Sequence, residues 1–591
     1  MTPDAMTDID SPATTTTVAN VLVIGTGAAG ARAAIAAADS GREVLMVGKR
    51  PPRDAHTVLA AGGINAALGT VDPEDSWQQH FADTVTEAYM LSEPRTVEIL
   101  TREAPDAVHE LADWGCEFAR TEDGQLDQRY FGAHRYRRTC YAGDYTGRAI
   151  LYTLHDQVAE RGIEIHEGRY VTRLLVADGT CFGAYAFDIS SGTRTVYLAD
   201  AVVLAAGGHT RLWRRSSSRR DENTGDAMGL ALQAGCALAD MELVQFHPTG
   251  MVWPEEMAGT LVTEAVRGEG GRLFNAEGER FMERYDSERM ELSTRDRVAL
   301  ANYTEITEGR GTEHGGVLLD ISHVDRDTIV EKLPRMYRQF LETQMLDISS
   351  DPVEVAPTAH YSMGGVVVDP ETHATDVTGL YAAGECTAGV HGANRLGGNS
   401  LAETVVFGRR AGAAAASYSN DLEVVRRDKD AIAAAAQDLS DLVREGSEFA
   451  RPLQRAIRDT MTDNCGVVRD HQRLTEGLQV LDDIETRLHD VDVRPTSEGW
   501  GDLALALDLR GSLLSARATI MGALERTETR GCHVRDDHPD IDPDQLVNHV
   551  VRLAADGSLQ FEQRPVPPIP EALRDLVVGA SDYEVEGRLL E

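Results

Sequence analysis

"VLVIGTGAAGARAAIAAADSGREVLMVGKR" (residues 21–50) is the stretch that decides the fold. Its four leading apolar residues, 21–24, read as a buried strand. They run into Gly25-x-Gly27-x-x-Gly30, an alanine-rich helix and a second apolar strand at residues 44–47. The first glycine permits a tight turn, the second lets a pyrophosphate approach the backbone, and the third lets helix pack on strand. The helix N-terminus offers unpaired N–H groups and a positive dipole to phosphates. Such a glycine pattern is weak alone; the strand–turn–helix–strand around it gives it meaning. One departure narrows the reading. The second strand ends in Gly48-Lys49-Arg50, where this fold usually places an acidic residue for a ribose hydroxyl. That counts against ordinary NAD binding.

Working outward, 591 residues exceed a single core; at ~150 residues per domain, about three or four units are expected. A hydrophobic content of 42% suits a globular protein. No apolar run approaches the ~18 residues of a membrane-spanning helix. Residues 1–19 are acidic and Thr-rich, and read as a flexible leader, not a secretory signal. The net charge of −39 argues against nucleic-acid binding. Lysine occurs only at Lys49, Lys332 and Lys429, so an anion site must gather arginines locally. The seven cysteines form no C-x-x-C pair. Their spacing suits neither zinc nor an iron–sulfur cluster, so no metal site is expected. An odd, scattered set points to a reducing, cytoplasmic setting.

Two later stretches look like parts of the first domain: "ADAVVLAAGG" (residues 199–208) and "GLYAAGE" (residues 379–385). Their separation implies an α/β, Rossmann-like domain interrupted by an insertion. The expected organisation is a discontinuous nucleotide-binding domain at 20–250 and 354–415, an α+β capping domain at 251–353, a helical domain at 416–531 and a small C-terminal domain at 532–591.

Four groups of residues carry chemistry. "ELVQFHPTG" holds His247, and "GTLVTEAVRGEGG" holds Thr263, Glu264 and Arg267. "ELSTRDRVA" holds Arg295, while "APTAHYSMGGV" and "GVHGANRLGGNSLAE" hold His360 and Arg395. Singly, each has an ordinary explanation. His247 suits a core histidine, and Glu264 with Arg267 an ion pair on one helix face worth ~0.2–0.5 kcal/mol. Together they say more. A guanidinium fork matches a carboxylate with two parallel N–H···O bonds, and histidine and threonine serve a second one. The set suits a small dicarboxylate gripped at both ends and held flat against a redox ring.

With these residues in place, the chain resembles the flavoprotein subunit of the succinate dehydrogenase/fumarate reductase family, which also includes L-aspartate oxidase. The resemblance runs from about residue 20 to 539 and is carried by the glycine turn, "HTVLAAGGI", "DYTGRAILYTL", "NTGDAMGLALQAG", "FHPTG", "VTEAVRGEGG", "RDRVA", "HYSMGG", "GLYAAGE", "HGANRLGGNSL" and "RGCHVRDDHPD". It implies that the first domain binds FAD. The pyrophosphate would lie at Gly25, Gly27, Ala28, Ala29 and Gly30. Lys49, His56, Thr57, Gly62, Gly63, Asp226, Glu385, Ser400 and Leu401 would complete the cofactor set. It further implies that His247, Thr263, His360 and Arg395 hold the two substrate carboxylates. Arg295 would be the acid/base, with Glu264 and Arg267 relaying its proton.

His56 stands where respiratory members of the family bond covalently to the flavin 8α-methyl, a histidine that L-aspartate oxidases typically lack. Ala61 in place of the usual glutamine, and "RPPRDA" before the histidine, depart from the pattern. The resemblance implies succinate–fumarate interconversion, with electrons leaving to a separate iron–sulfur subunit; any membrane anchor would be a further, separate polypeptide. L-Aspartate oxidation, forming iminoaspartate, is the alternative activity. A partner-facing role and a capped surface loop are equally open for "RGCHVRDDHPD".

Overall fold

The computed structural model describes residues 13–424, 427–496 and 499–581. Its organising element is a seven-stranded sheet. β1 (Thr14–Ile24) lies between β2 (Val44–Val47) and the strand Arg194–Leu204, all parallel. Glu164–His166 continues the sheet beyond β2. The strand Arg194–Leu204 divides its partners. Its first half joins the antiparallel hairpin Arg169–Ala177/Thr180–Asp188, and its last residues pair in parallel with Leu380–Ala382, Leu380 opposite Val202. Three segments far apart in sequence thus meet in one sheet, as the interrupted α/β domain requires.

The expected leader needs correction. Residues 14–19 form the first half of β1 and pair residue by residue with residues 194–199. The threonines that suggested a polar tail are β-branched residues that suit a pleated strand. Residues 1–12 lie outside the described residues.

α1 (Ala28–Asp39) starts directly from the glycine turn and presents alanines to the helix Asn399–Asp421. The two backbones nearly touch. A Cβ at Gly408 would stand 2.6 Å from the carbonyl of Ala29, and one at Gly412 2.1 Å from that of Ala33. Small residues four apart on both helices therefore set the spacing.

The capping segment forms an antiparallel sheet in the order Val244–Met251, Val353–Ser362, Val317–Asp320, Arg272–Phe274. Both connecting strands belong to this sheet, so residues 244–250 and 354–362, assigned from sequence to the nucleotide domain, are shared with the cap. The strand Val244–Met251 carries register shifts at Gln245/Phe246 and His247/Gly250. Such bulges re-aim side chains and cluster beside active sites. The helix Arg295–Glu305 packs across this strand.

Helices Lys429–Leu442, Ala450–Asn464, His471–Arg487 and Gly501–Glu525 form the helical region around a shared apolar core. Gly501–Glu525 meets the helix Asp226–Ala234 at a glycine contact, where a Cβ on Gly229 would be 3.3 Å from Cα of Gly511. The C-terminal hairpin Val547–Leu553/Leu559–Pro565 is completed by Leu238–Ala239 and Gly365–Val366, so it is built onto the first domain. Among the described residues, no helix is long and apolar enough to cross a membrane.

Candidate active site

One elongated cavity runs from the glycine turn to the cap. It is lined by Gly25, Gly27, Ala28, Ala29, Lys49, His56, Thr57, Gly62, Gly63, Asp226, Glu385, Ser400 and Leu401, and also by His247, Thr263, Glu264, Arg295, His360 and Arg395. Two expected residues lie just off it. Gly30 packs against the turn, where a Cβ would sit 2.1 Å from the carbonyl of Gly25. Arg267 is buried behind Glu264.

The cofactor end fits FAD. Gly25 has φ of 119°, and a Cβ there would lie 2.0 Å from the carbonyl of Ala205. The first-turn N–H groups of α1 open beside it, that of Ala28 donating to Oγ1 of Thr57 at 3.1 Å. At the far wall Glu385 accepts from the Ser362 N–H at 3.1 Å and from Asn223 at 3.2 Å, and burial raises its pKa. Lys49 Nζ pairs with Asp226 and, at 3.4 Å, with Asp508 on the helix Gly501–Glu525. Tyr170 donates to Asp508 at 2.8 Å. Burial raises the Asp508 carboxyl to about 7, although Lys49 opposes it.

His56 sits in a short 3-10 turn, His56–Leu59, at the cavity wall. Its Nδ1 lies 3.2 Å from Oε2 of Glu222, which leaves Nε2 without a hydrogen bond among the described residues. Burial works to lower the His56 pKa, but the bond and charge of Glu222 win and raise it. Glu222 is itself held at about 2. Burial opposes this, while His56 and Arg219 outweigh it.

The cap end is crowded with cations. Arg295 opens its helix, donating from Nε to Glu264 at 2.8 Å and from NH1 to Oε1 of Gln245 at 3.1 Å. Arg395 donates to Ser400 at 2.8 Å and to the same Gln245 oxygen at 3.0 Å, and lies 4.3 Å over the ring of Tyr361. Burial, then Arg295, lowers the Arg395 pKa to about 9. Glu264 accepts the Gly132 N–H at 3.1 Å and stands 3.8 Å from Arg267. Burial would raise it, but Arg295 and Arg267 hold it at about 2. Glycines make room here: a Cβ on Gly397 would lie 3.1 Å from Arg295, and one on Gly398 2.1 Å from Asn65.

The histidine rings meet edge to face, His247 against His360, with centroids 5.2 Å apart. They come from the two neighbouring strands of the cap sheet. Burial, then the surrounding arginines, pushes both well below the ordinary histidine pKa. They are neutral donors at pH 7. Nδ1 of His247 accepts the Thr249 N–H at 3.2 Å, which puts the ring proton on Nε2. Thr263 is buried at the start of the Glu264 turn. Among the described residues, Nε of Arg395, a cavity-lining residue, is buried without a hydrogen-bond partner. An unmatched buried donor of this kind suits an anionic ligand.

Gln245, Glu222, Tyr361 and Asp508 went unread in the sequence. Gln245 stands two residues before His247, which strand alternation would flag. Asp508 has no local signal at all. The "RGCHVRDDHPD" segment packs inward through its first half. Arg530, Cys532, His533 and Arg535 are buried, and the Cys532 N–H donates to Ala393 at 2.9 Å, behind the Arg395 loop.

The chain matches the family model described as FAD binding domain over residues 20–401 and the one described as fumarate reductase flavoprotein C-term over 454–571. It is 46% identical to a fumarate reductase (CoM/CoB) subunit of Methanothermobacter marburgensis, covering 89% of this chain and 95% of that one. It is 37% identical to the succinate dehydrogenase flavoprotein subunit of Rickettsia conorii, covering 93% and 95%. The structure of E. coli quinol fumarate reductase FrdA superposes with a TM-score of 0.89 at 34% identity, covering 94% and 99%. Matches that span the glycine turn, the cap and the helical region place this chain in the succinate dehydrogenase/fumarate reductase flavoprotein family, FAD-dependent oxidoreductases.

Proposed function

We propose that the protein interconverts succinate and fumarate. The observation that carries this reading is the convergence of two neutral imidazoles and two guanidiniums on the same cavity as the glycine turn. His247, Thr263, His360 and Arg395 hold the two carboxylates, so the carbon skeleton lies fixed between them. FAD, when bound, supplies the acceptor or donor of a substrate hydride.

Arg295 moves the other proton. Its guanidinium stands between the carboxylate of Glu264 and the amide oxygen of Gln245, which holds it at the cap end of the cavity. In fumarate reduction the guanidinium gives a proton to the substrate carbon and recovers one through Glu264, 2.8 Å away; Arg267 lies next in line. In succinate oxidation the proton runs the other way.

His56 would be the residue that holds the flavin covalently, and Nε2 the nitrogen available for it, supported by the occupation of Nδ1 by Glu222. Electrons then leave one at a time to a separate iron–sulfur subunit, and any membrane attachment belongs to partner chains. This assignment is supported by relatives named as succinate dehydrogenase and fumarate reductase subunits.

Anaerobic succinate should bleach the flavin absorbance of the holoenzyme, and L-aspartate should leave it unchanged. Bleaching by aspartate and not by succinate would select the oxidase reading. In denaturing gels, flavin fluorescence should stay with the chain and be lost in His56→Ser. Free flavin from the unmodified protein would refute the covalent bond.

A further inference from the structure

Arg295 and Arg395 carry the same charge and are buried side by side, with no carboxylate among the described residues bridging them. What they share is one neutral oxygen. Oε1 of Gln245 accepts from NH1 of Arg295 at 3.1 Å and from NH2 of Arg395 at 3.0 Å. The amide cannot turn over. Its Nε2 donates to Oδ1 of Asn394 at 2.8 Å and to the carbonyl of Arg395 at 2.9 Å, so the oxygen must face the guanidiniums. Asn394 is fixed in turn by donating to Glu87 at 2.6 Å and Asp296 at 2.9 Å. Gln245 and Asn394 are both fully buried. The register shift between Gln245 and Phe246 lies in the backbone that carries this side chain.

We propose that Gln245 is a positioning residue that fixes the spacing and direction of the two arginines before a dicarboxylate arrives. A neutral acceptor is the chemistry this task requires. A carboxylate at this point would orient both forks but cancel their charge and tighten their hold on protons. An apolar side chain would leave two buried cations with one fewer acceptor each and nothing to oppose their repulsion. The amide orients without neutralising, so the full positive field remains for the ligand.

The assignment rests on the dicarboxylate reading above, and malonate, a diacid lacking the reactive CH2–CH2 bond, tests the two separately. Malonate is titrated into the holoenzyme and followed by the change in flavin absorbance. The wild-type protein should respond. Gln245→Leu should bind malonate about tenfold or more weakly, as expected for lost bonds to charged groups, with flavin content unchanged. Gln245→Glu, nearly isosteric, should also bind weakly, and the alkaline limb of its kcat/KM profile should move to higher pH. Should the Leu variant fail to retain flavin, the Glu variant decides by its pH profile. Equal losses in both variants with an unshifted profile would mean a packing role and overturn the proposal, as would wild-type affinity in both. A wild-type protein that gives no response to malonate overturns this assignment and the dicarboxylate reading together.

Discussion

Arg295 is the residue on which the chemistry turns, because its two edges face different partners: Glu264 along the proton route and Gln245 toward Arg395. Arg295→Gln keeps a hydrogen-bonding side chain but removes the charge and the exchangeable guanidinium proton. Turnover in both directions should fall by at least ~100-fold, the usual worth of a positioned proton donor, while the ratio of flavin to protein absorbance stays constant. Turnover within about threefold of wild type would return the proton to water. Most residues of this site were legible because each sits in a short motif with its own chemistry. The exceptions are instructive. Gln245 is polar, uncharged and two residues before a more conspicuous histidine. Glu222 and Asp508 reach the cofactor cavity through partners more than 160 positions away, His56 and Lys49 respectively.

At the level of elements, the alternating glycines and alanines explain how a short turn can serve a large cofactor. α1 and Asn399–Asp421 approach until only hydrogen atoms fit between them, which brings Ser400 and Leu401 to the cavity beside the glycine turn. Gly412→Ala would force a Cβ to within 2.1 Å of the Ala33 carbonyl. It should destabilise the protein by about 1–3 kcal/mol, the cost of overpacking a tight contact, read as a shift in denaturant midpoint. Gly501→Ala, which meets nothing within 4 Å, is the control and should be nearly silent. The strand–turn–helix–strand reading was sound because the local pattern and the fold agree. The leader was misread because pairing with residues 194–199 is not visible from residues 14–19 alone. The shared cap strands escaped for the same reason: the division into domains runs along strands that serve both sides.

For the whole molecule, the burial of paired carboxylates sets the response to acid. Glu222 and Glu264 are both held at about 2, below the 4.5 of an unfolded glutamate. A depressed folded-state pKa gives stability that is fully present above about 4.5 and is lost as pH falls toward 2. Thermal melts should therefore drop steeply across that window, and Glu264→Gln should drop less than wild type across it. Parallel curves for the two proteins would mean that Glu264 contributes nothing to the acid limb. The net charge of −39 contrasts with the arginines gathered in the site, a contrast the composition led one to expect.

The walls of the cofactor cavity run from Ile24 to Thr404, and the lysine at one end is seated by Asp508. Synthesis must therefore reach residue 508 before this lysine finds its full set of counter-charges.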